Sequence, residues 1–134
     1  MSISTRKVIP VSITTPTADK KIPLLKAPSD NTWTVEAVDF VFDTAIAAST
    51  ADYATCQLEN GGTAGTDTTD ILSAVVGGTA GWAANTPKAG AVASGLGDLT
   101  AGQYLNLDWD VTGTVAANRL TVMIEISEGV GAKA

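Results

Sequence analysis

The chain has 134 residues and a mass of 13.6 kDa, a length that favours one domain built on one core. Hydrophobic residues make up 45% and charged residues 16%, against a usual charged share of about 25%, which argues against charge-rich disorder and against a long coiled coil. Histidine is absent, Cys56 is the single cysteine and the formal net charge is −6; these facts exclude Ser-His-Asp and Cys-His catalysis, imidazole metal sites and an internal disulfide, and disfavour nucleic acid as a partner.

Ile3 to Thr14 reads as extended, with Ile3, Val8, Ile9, Val11 and Ile13 set among serines and threonines. Pro10 has no N–H to donate, so this piece is an arm or an edge strand and not a central one. Lys21 to Lys26 is a second short extended piece, closed by Pro28 and the turn-prone Ser29-Asp30-Asn31. Residues 1–26 carry Arg6, Lys7, Lys20, Lys21 and Lys26 against Asp19 alone, whereas the rest of the chain has three cations and thirteen acids. Such a split marks an interacting tail, the plainer alternative being cations that only solvate a polar N-terminus. The chain therefore divides into residues 1–26, an extended N-terminal arm or edge strand, and residues 27–134, a β-sandwich domain.

Thr32 to Phe42 is a strand in which Trp33, Val35 and Ala37 share one parity and Val38, Phe40 and Phe42 the other. A phase shift of one residue predicts a β-bulge near Ala37-Val38. Tyr53 to Glu59 alternates with Ala54, Cys56 and Leu58 inward and Thr55, Gln57 and Glu59 outward, and Asn60-Gly61-Gly62 supplies a hairpin turn. Asp70 to Val76 fits either a strand or a short helix. Gly77 to Gly97 reads as a loop-rich excursion with one strand near Gly90 to Ser94 and Trp82 as its only large side chain. Leu105, Leu107, Trp109 and Val111, and then Leu120, Val122, Ile124 and Ile126, alternate with polar residues as two half-buried strands. The sum is an all-β chain, a single antiparallel β-sandwich or jelly roll with an extended N-terminal arm. Its expected core is Trp33, Val35, Phe40, Phe42, Leu58, Leu105, Leu107, Trp109, Leu120, Val122, Ile124 and Ile126.

The polar clusters do not assemble a familiar site. Asp108-Trp109-Asp110-Val111-Thr112-Gly113 begins like a calcium loop, but its twelfth position is Arg119 and its acids alternate with core residues along a strand. A hydrated sheet face of Asn106, Asp108 and Asp110 is the simpler reading, with calcium in a surface loop left open. Asp67 with Asp70, and Asp39 with Asp43, read as solvated acids and not as a glycosidase pair. Gly61-Gly62-Thr63-Ala64-Gly65-Thr66 lacks the Gly-Lys-Ser/Thr ending of a phosphate loop. Cys56 reads as a small buried hydrophobe in a reducing compartment, with no His to activate it. Val8-Ile9-Pro10-Val11 is shorter than the roughly 7–15-residue core of a secretory signal, and no apolar run approaches the roughly 18 residues of a membrane span. Trp33 and Trp109 fall on core parity, which leaves Trp82 to face a ligand or a neighbouring subunit.

Leu24-Leu25-Lys26-Ala27-Pro28, the strand Thr32 to Val38, Asp52-Tyr53-Ala54-Thr55, Leu58 to Thr66 and Leu99-Thr100-Ala101-Gly102-Gln103-Tyr104-Leu105 share a style. In them the chain resembles the small β-sandwich virion proteins of tailed bacteriophages, of the capsid decoration or cement type. The likeness is one of Ala/Thr/Gly-rich strands, an acidic body and no His, and no functional residue transfers by position. It implies a non-enzymatic structural protein, assembled in the host cytoplasm and carried on the virion as a homotrimer bound to the major capsid protein lattice. No cofactor, metal, catalytic residue, nucleic acid or membrane is expected. Arg6, Lys7, Lys20, Lys21 and Lys26 are the expected lattice contacts, and Trp82 the expected subunit contact. The competing classes are a carbohydrate- or receptor-binding module such as a fibre head, and a hydrolase on a jelly-roll scaffold.

Overall fold

The computed structural model describes residues 4–77, 80–93 and 95–129; Ile3 and Ser94 of the expected strands lie outside them. The strands are β1 (Ser4–Thr14), β2 (Lys20–Lys26), β3 (Trp33–Phe42), β4 (Tyr53–Gly62), β5 (Thr69–Asp70), β6 (Val75–Val76), β7 (Lys88–Gly90), β8 (Asp98–Leu99), β9 (Tyr104–Thr112) and β10 (Arg119–Gly129). All pairings between them are antiparallel, and they form two sheets of five strands. The first sheet runs β1-β10-β3-β7, with β8 also on β3; the second runs β2-β9-β4-β5, with β6 also on β4. The alternation in β3, β4, β9 and β10 turns one side of each sheet inward, and the two apolar sides meet as one core.

Each residue expected in the core is buried except Trp33, which is half-buried and packs against it. Fully burying an aliphatic side chain such as Leu107 or Ile124 contributes about 1.5–3 kcal/mol. The bulge in β3 falls one residue earlier than its parity suggests. Glu125 faces Ala37 and Ile126 faces Val35, so Glu36 is the extra residue. Val35 and Val38 both point inward as a result, and Ala37 is turned out to solvent.

The arm alternative gives way to the edge strand. β1 pairs with β10 from Ser4↔Gly129 to Thr14↔Arg119, and β2 pairs with β9 from Lys20↔Trp109 to Lys26↔Tyr104. Residues 4–26 therefore supply one edge of each sheet. The cause is apolar parity: Ile9, Val11 and Ile13 lie beside Ile124, Val122 and Leu120 and pack on the core. Pro10 and Pro23 sit on edge strands, where a missing N–H is tolerated.

In the middle of the chain, Asp70 to Val76 is not helical. Thr69–Asp70 and Val75–Val76 pair with β4, while Ile71 and Leu72 between them are buried. The later strand, Lys88–Gly90, starts two residues before the expected one, and Val92 bridges Leu72 instead.

Trp82 is the largest departure. It is 3% exposed and stands in the core, edge-on to Phe42 with ring centroids 4.9 Å apart and to Phe40 at 6.4 Å. Two backbone bonds of 2.9 Å, Trp82 N–H to Ile46 O and Ile46 N–H to Trp82 O, pin its loop to residue 46. Gly81 (φ 64°) permits that approach, since a Cβ there would stand 2.6 Å from the Ile46 carbonyl oxygen. A ring so enclosed is not on the surface where a subunit contact was expected.

Candidate binding surface

The two outward sheet faces differ in chemistry. On the β2-β9-β4 sheet, Gln57, Asp108 and Lys21 share one row and Glu59, Asn106 and Pro23 the next. The expectation of a hydrated face holds for Asp108 and Asp110 but not for Asn106, and Glu59, expected to point outward, is covered beside it; each of the two is 3% exposed. The turn after β4 folds back over them, and Asn106 Nδ2 donates to the Gly65 carbonyl at 2.9 Å. Lys21 Nζ lies 2.6 Å from Glu59 Oε1 and 3.5 Å from Asp108 Oδ2. The hydrogen bond to Glu59 holds the Lys21 ammonium above the usual lysine value, against the opposing effect of burial. Burial, then the Asp108 and Asp19 carboxylates, push the Asp110 carboxyl above its usual range. Among the described residues no three acids or cysteines converge as a metal site.

The outward face of the β1-β10-β3 sheet carries several apolar residues within a polar frame that includes Ser12, Thr121 and the Arg6–Glu125 pair. The even-numbered residues of β1 point away from the core, and register aligns Pro10, Met123, Asp39 and Ala89 in one row. The adjacent row is Val8, Glu125 and Ala37. Val8, Ala37, Asp39, Val41, Pro87, Met123 and Glu125 line a groove of about 310 Å³. Val8 is 53% exposed on it. Open sheet faces ordinarily carry polar side chains, so a groove with Val8, Ala37, Val41, Pro87 and Met123 on such a face is a candidate contact site.

A second depression, of about 330 Å³, lies between residues 44–52 and 114–118 at one end of the sandwich. Its polar groups serve its own loops. Asn118 Oδ1 accepts from the Thr44 N–H while its Nδ2 donates to the Thr44 carbonyl, and Asp52 Oδ1 accepts from the Thr114 N–H. The groove on the sheet face is the stronger candidate.

The cations singled out in the sequence divide over two edges and mostly pair at the surface with groups of the same chain. Arg6 reaches Glu36 and Glu125, both at 3.2 Å, on the rim of the apolar groove. Lys7 pairs with Glu128 at 3.2 Å and lies over the Trp33 ring at 5.1 Å. Lys26 lies over the Tyr104 ring at 5.3 Å, and Lys21 is held by Glu59. Lys20 is exposed. They do not form one basic stripe. Asp43 pairs loosely with Arg119 at 3.8 Å, apart from Asp39 on the groove, and Asp67 and Asp70 are exposed. Cys56 is buried, and burial pushes its thiol up, away from nucleophilic use. Sequence reasoning missed Val8, Ala37, Val41 and Met123 as a surface. The available signal was three apolar residues at outward positions, Ala37 and Val41 in β3 and Met123 in β10, among polar neighbours.

The chain matches no protein-family model, no curated protein and no solved structure.

Proposed function

We propose that the protein is a non-enzymatic structural component of a phage virion that docks on the capsid lattice and stabilises it. The groove of Val8, Ala37, Val41, Pro87 and Met123 on the outer face of the β1-β10-β3 sheet carries this reading, because a protein that works by docking needs a preformed surface and not a reactive cleft. The strand order supports it. Counting β5 with β6, and β7 with β8, as broken strands leaves orders β1-β10-β3-β7 and β2-β9-β4-β5, which we read as a jelly-roll winding. That architecture serves viral capsid and lectin domains. The resemblance to decoration proteins adds the partner, the major capsid protein, and the place, the capsid surface after assembly in the host cytoplasm. In this reading neither nucleic acid nor membrane is a partner, and a homotrimer forms through exposed strand edges and not through Trp82.

A sugar-binding module draws less support. Trp82 and Trp109 are buried, and Trp33 is half-buried beneath Lys7, so these indoles offer no open stacking platform. The test is location. Virions purified from the phage that encodes the chain should contain it in fixed ratio to the capsid protein, with density on the shell in electron cryomicroscopy. Its absence from virions, or its presence only at a fibre tip, defeats the proposal.

A further inference from the structure

We infer that the outer face of the β1-β10-β3 sheet receives a partner surface presenting one arginine or lysine among apolar side chains, with Asp39 as the receptor for that cation. The inference rests on the docking role proposed above and names the chemistry of the docked surface. Asp39 stands between Met123 and Ala89 in its row, and Ala37 and Val41 flank it on β3. It is half-buried at the wall of the groove.

The other acids of this face already have a cation. Glu36 and Glu125 both pair with Arg6 at 3.2 Å. Asp39 has neither an ion pair nor a side-chain hydrogen bond among the described residues. Covering an ionised carboxylate with purely apolar surface leaves a desolvated, unpaired charge, so the face rejects a wholly apolar partner. A guanidinium meets a carboxylate through parallel N–H bonds, and an arginine stem covers apolar surface at the same time.

A second copy of the chain fits poorly. A two-fold pairing sets the same patch against itself. Here that brings Asp39, Glu36 and Glu125 of each copy into one contact with Arg6 of each as the only cation of the face, and the excess of like charge disfavours it. The face therefore selects a surface different from itself.

The test uses the full chain, labelled with ¹⁵N, and two short apolar peptides that differ only at the central residue, arginine in one and glutamate in the other. The arginine peptide should shift the amides of residues 37–41 and 123, and the glutamate peptide should not bind. Asp39→Asn, close in size and on the surface, should keep the melting temperature and weaken the arginine peptide by roughly thirtyfold or more. Asp39→Lys should reverse the preference between the peptides. Equal binding of both peptides, shifts confined to other surfaces, or a dimer through this face overturns the inference.

Co-sedimentation with undecorated capsid shells separates this inference from the docking role. If the wild type binds shells and Asp39→Lys binds them equally, the cation receptor is wrong and docking stands. If the wild type does not bind shells, docking is wrong and the peptide pair alone decides the inference.

Discussion

Truncating Trp82 to Ala separates a core role for this ring from a role at a subunit contact. The side chain is 3% exposed, lies edge-on to Phe42 at 4.9 Å and carries Lys88 Nζ over its face at 4.8 Å. Removing a buried aromatic of this size costs about 3–5 kcal/mol through lost transfer energy and the cavity left behind. The aromatic contacts are part of that figure and are not added to it. At about 2.1 cal/mol/K per residue, 134 residues give an unfolding entropy near 280 cal/mol/K, so the melting temperature should fall by roughly 11–18 °C. Against a total stability of about 5–15 kcal/mol the variant is severely weakened at ambient temperature. Thermal melts followed by near-ultraviolet circular dichroism check the shift, and urea melts should show a lower midpoint with an unchanged slope. Trp82→Phe should recover part of the loss. A Trp82→Ala protein that melts within about 2 °C of the wild type would refute the core assignment, since a deleted core ring cannot be thermally silent.

Deleting residues 2–19 removes β1 with Ile9, Val11 and Ile13 and uncovers Leu120, Val122 and Ile124. The half-buried side chains removed and the core residues laid open together amount to a loss comparable with a total stability of about 5–15 kcal/mol, and circular dichroism should show an unfolded or early-melting chain. A truncated body that melts like the wild type would instead mean that β1 contributes nothing to the fold. Cys56 should resist a thiol reagent in the native protein and react once urea unfolds it; fast native labelling would contradict its burial. Asp110 has a folded pKa raised above its ordinary 3.8, so the folded state binds its proton more tightly and stability falls as pH rises through that window. Asp110→Asn should therefore melt higher than the wild type at pH 7, and titrations of melting temperature should show that advantage gone by about pH 3, where both states of the wild-type carboxyl are protonated.

Short-range alternation made β9 and β10 legible, because Leu105 to Val111 and Leu120 to Ile126 each place one apolar residue in every two on the core face. The bulge in β3 was legible for the same reason. Its position slipped by one residue because Ala37, small and apolar, reads as inward while it faces solvent. Trp82 was not legible. Its neighbours Gly81, Ala83 and Ala84 have the composition of a loop, and what buries the ring is Phe42 and Ile46, some forty residues earlier. The cations of residues 1–26 suggested a tail for a similar reason. Their partners Glu125, Glu128, Glu59 and Asp108 are distant in the chain, so local counting sees charge without its compensation.

The binding surface lies at the far end of this scale. Pro10, Met123 and Asp39 come from three separate regions of the chain, and antiparallel register alone makes them neighbours. Parity identifies which side of a strand points away from the core, but it does not say that three outward sides combine into one groove. Strand order supplies that step. With β10 between β1 and β3, the outward apolar residues of all three strands become contiguous and Asp39 is left among them. A different order with the same ten strands would scatter Val8, Met123 and Val41 singly over the surface, where single exposed apolar residues are ordinary. The candidate function is thus a property of topology, and a swap of sheet neighbours that kept every strand intact would abolish it.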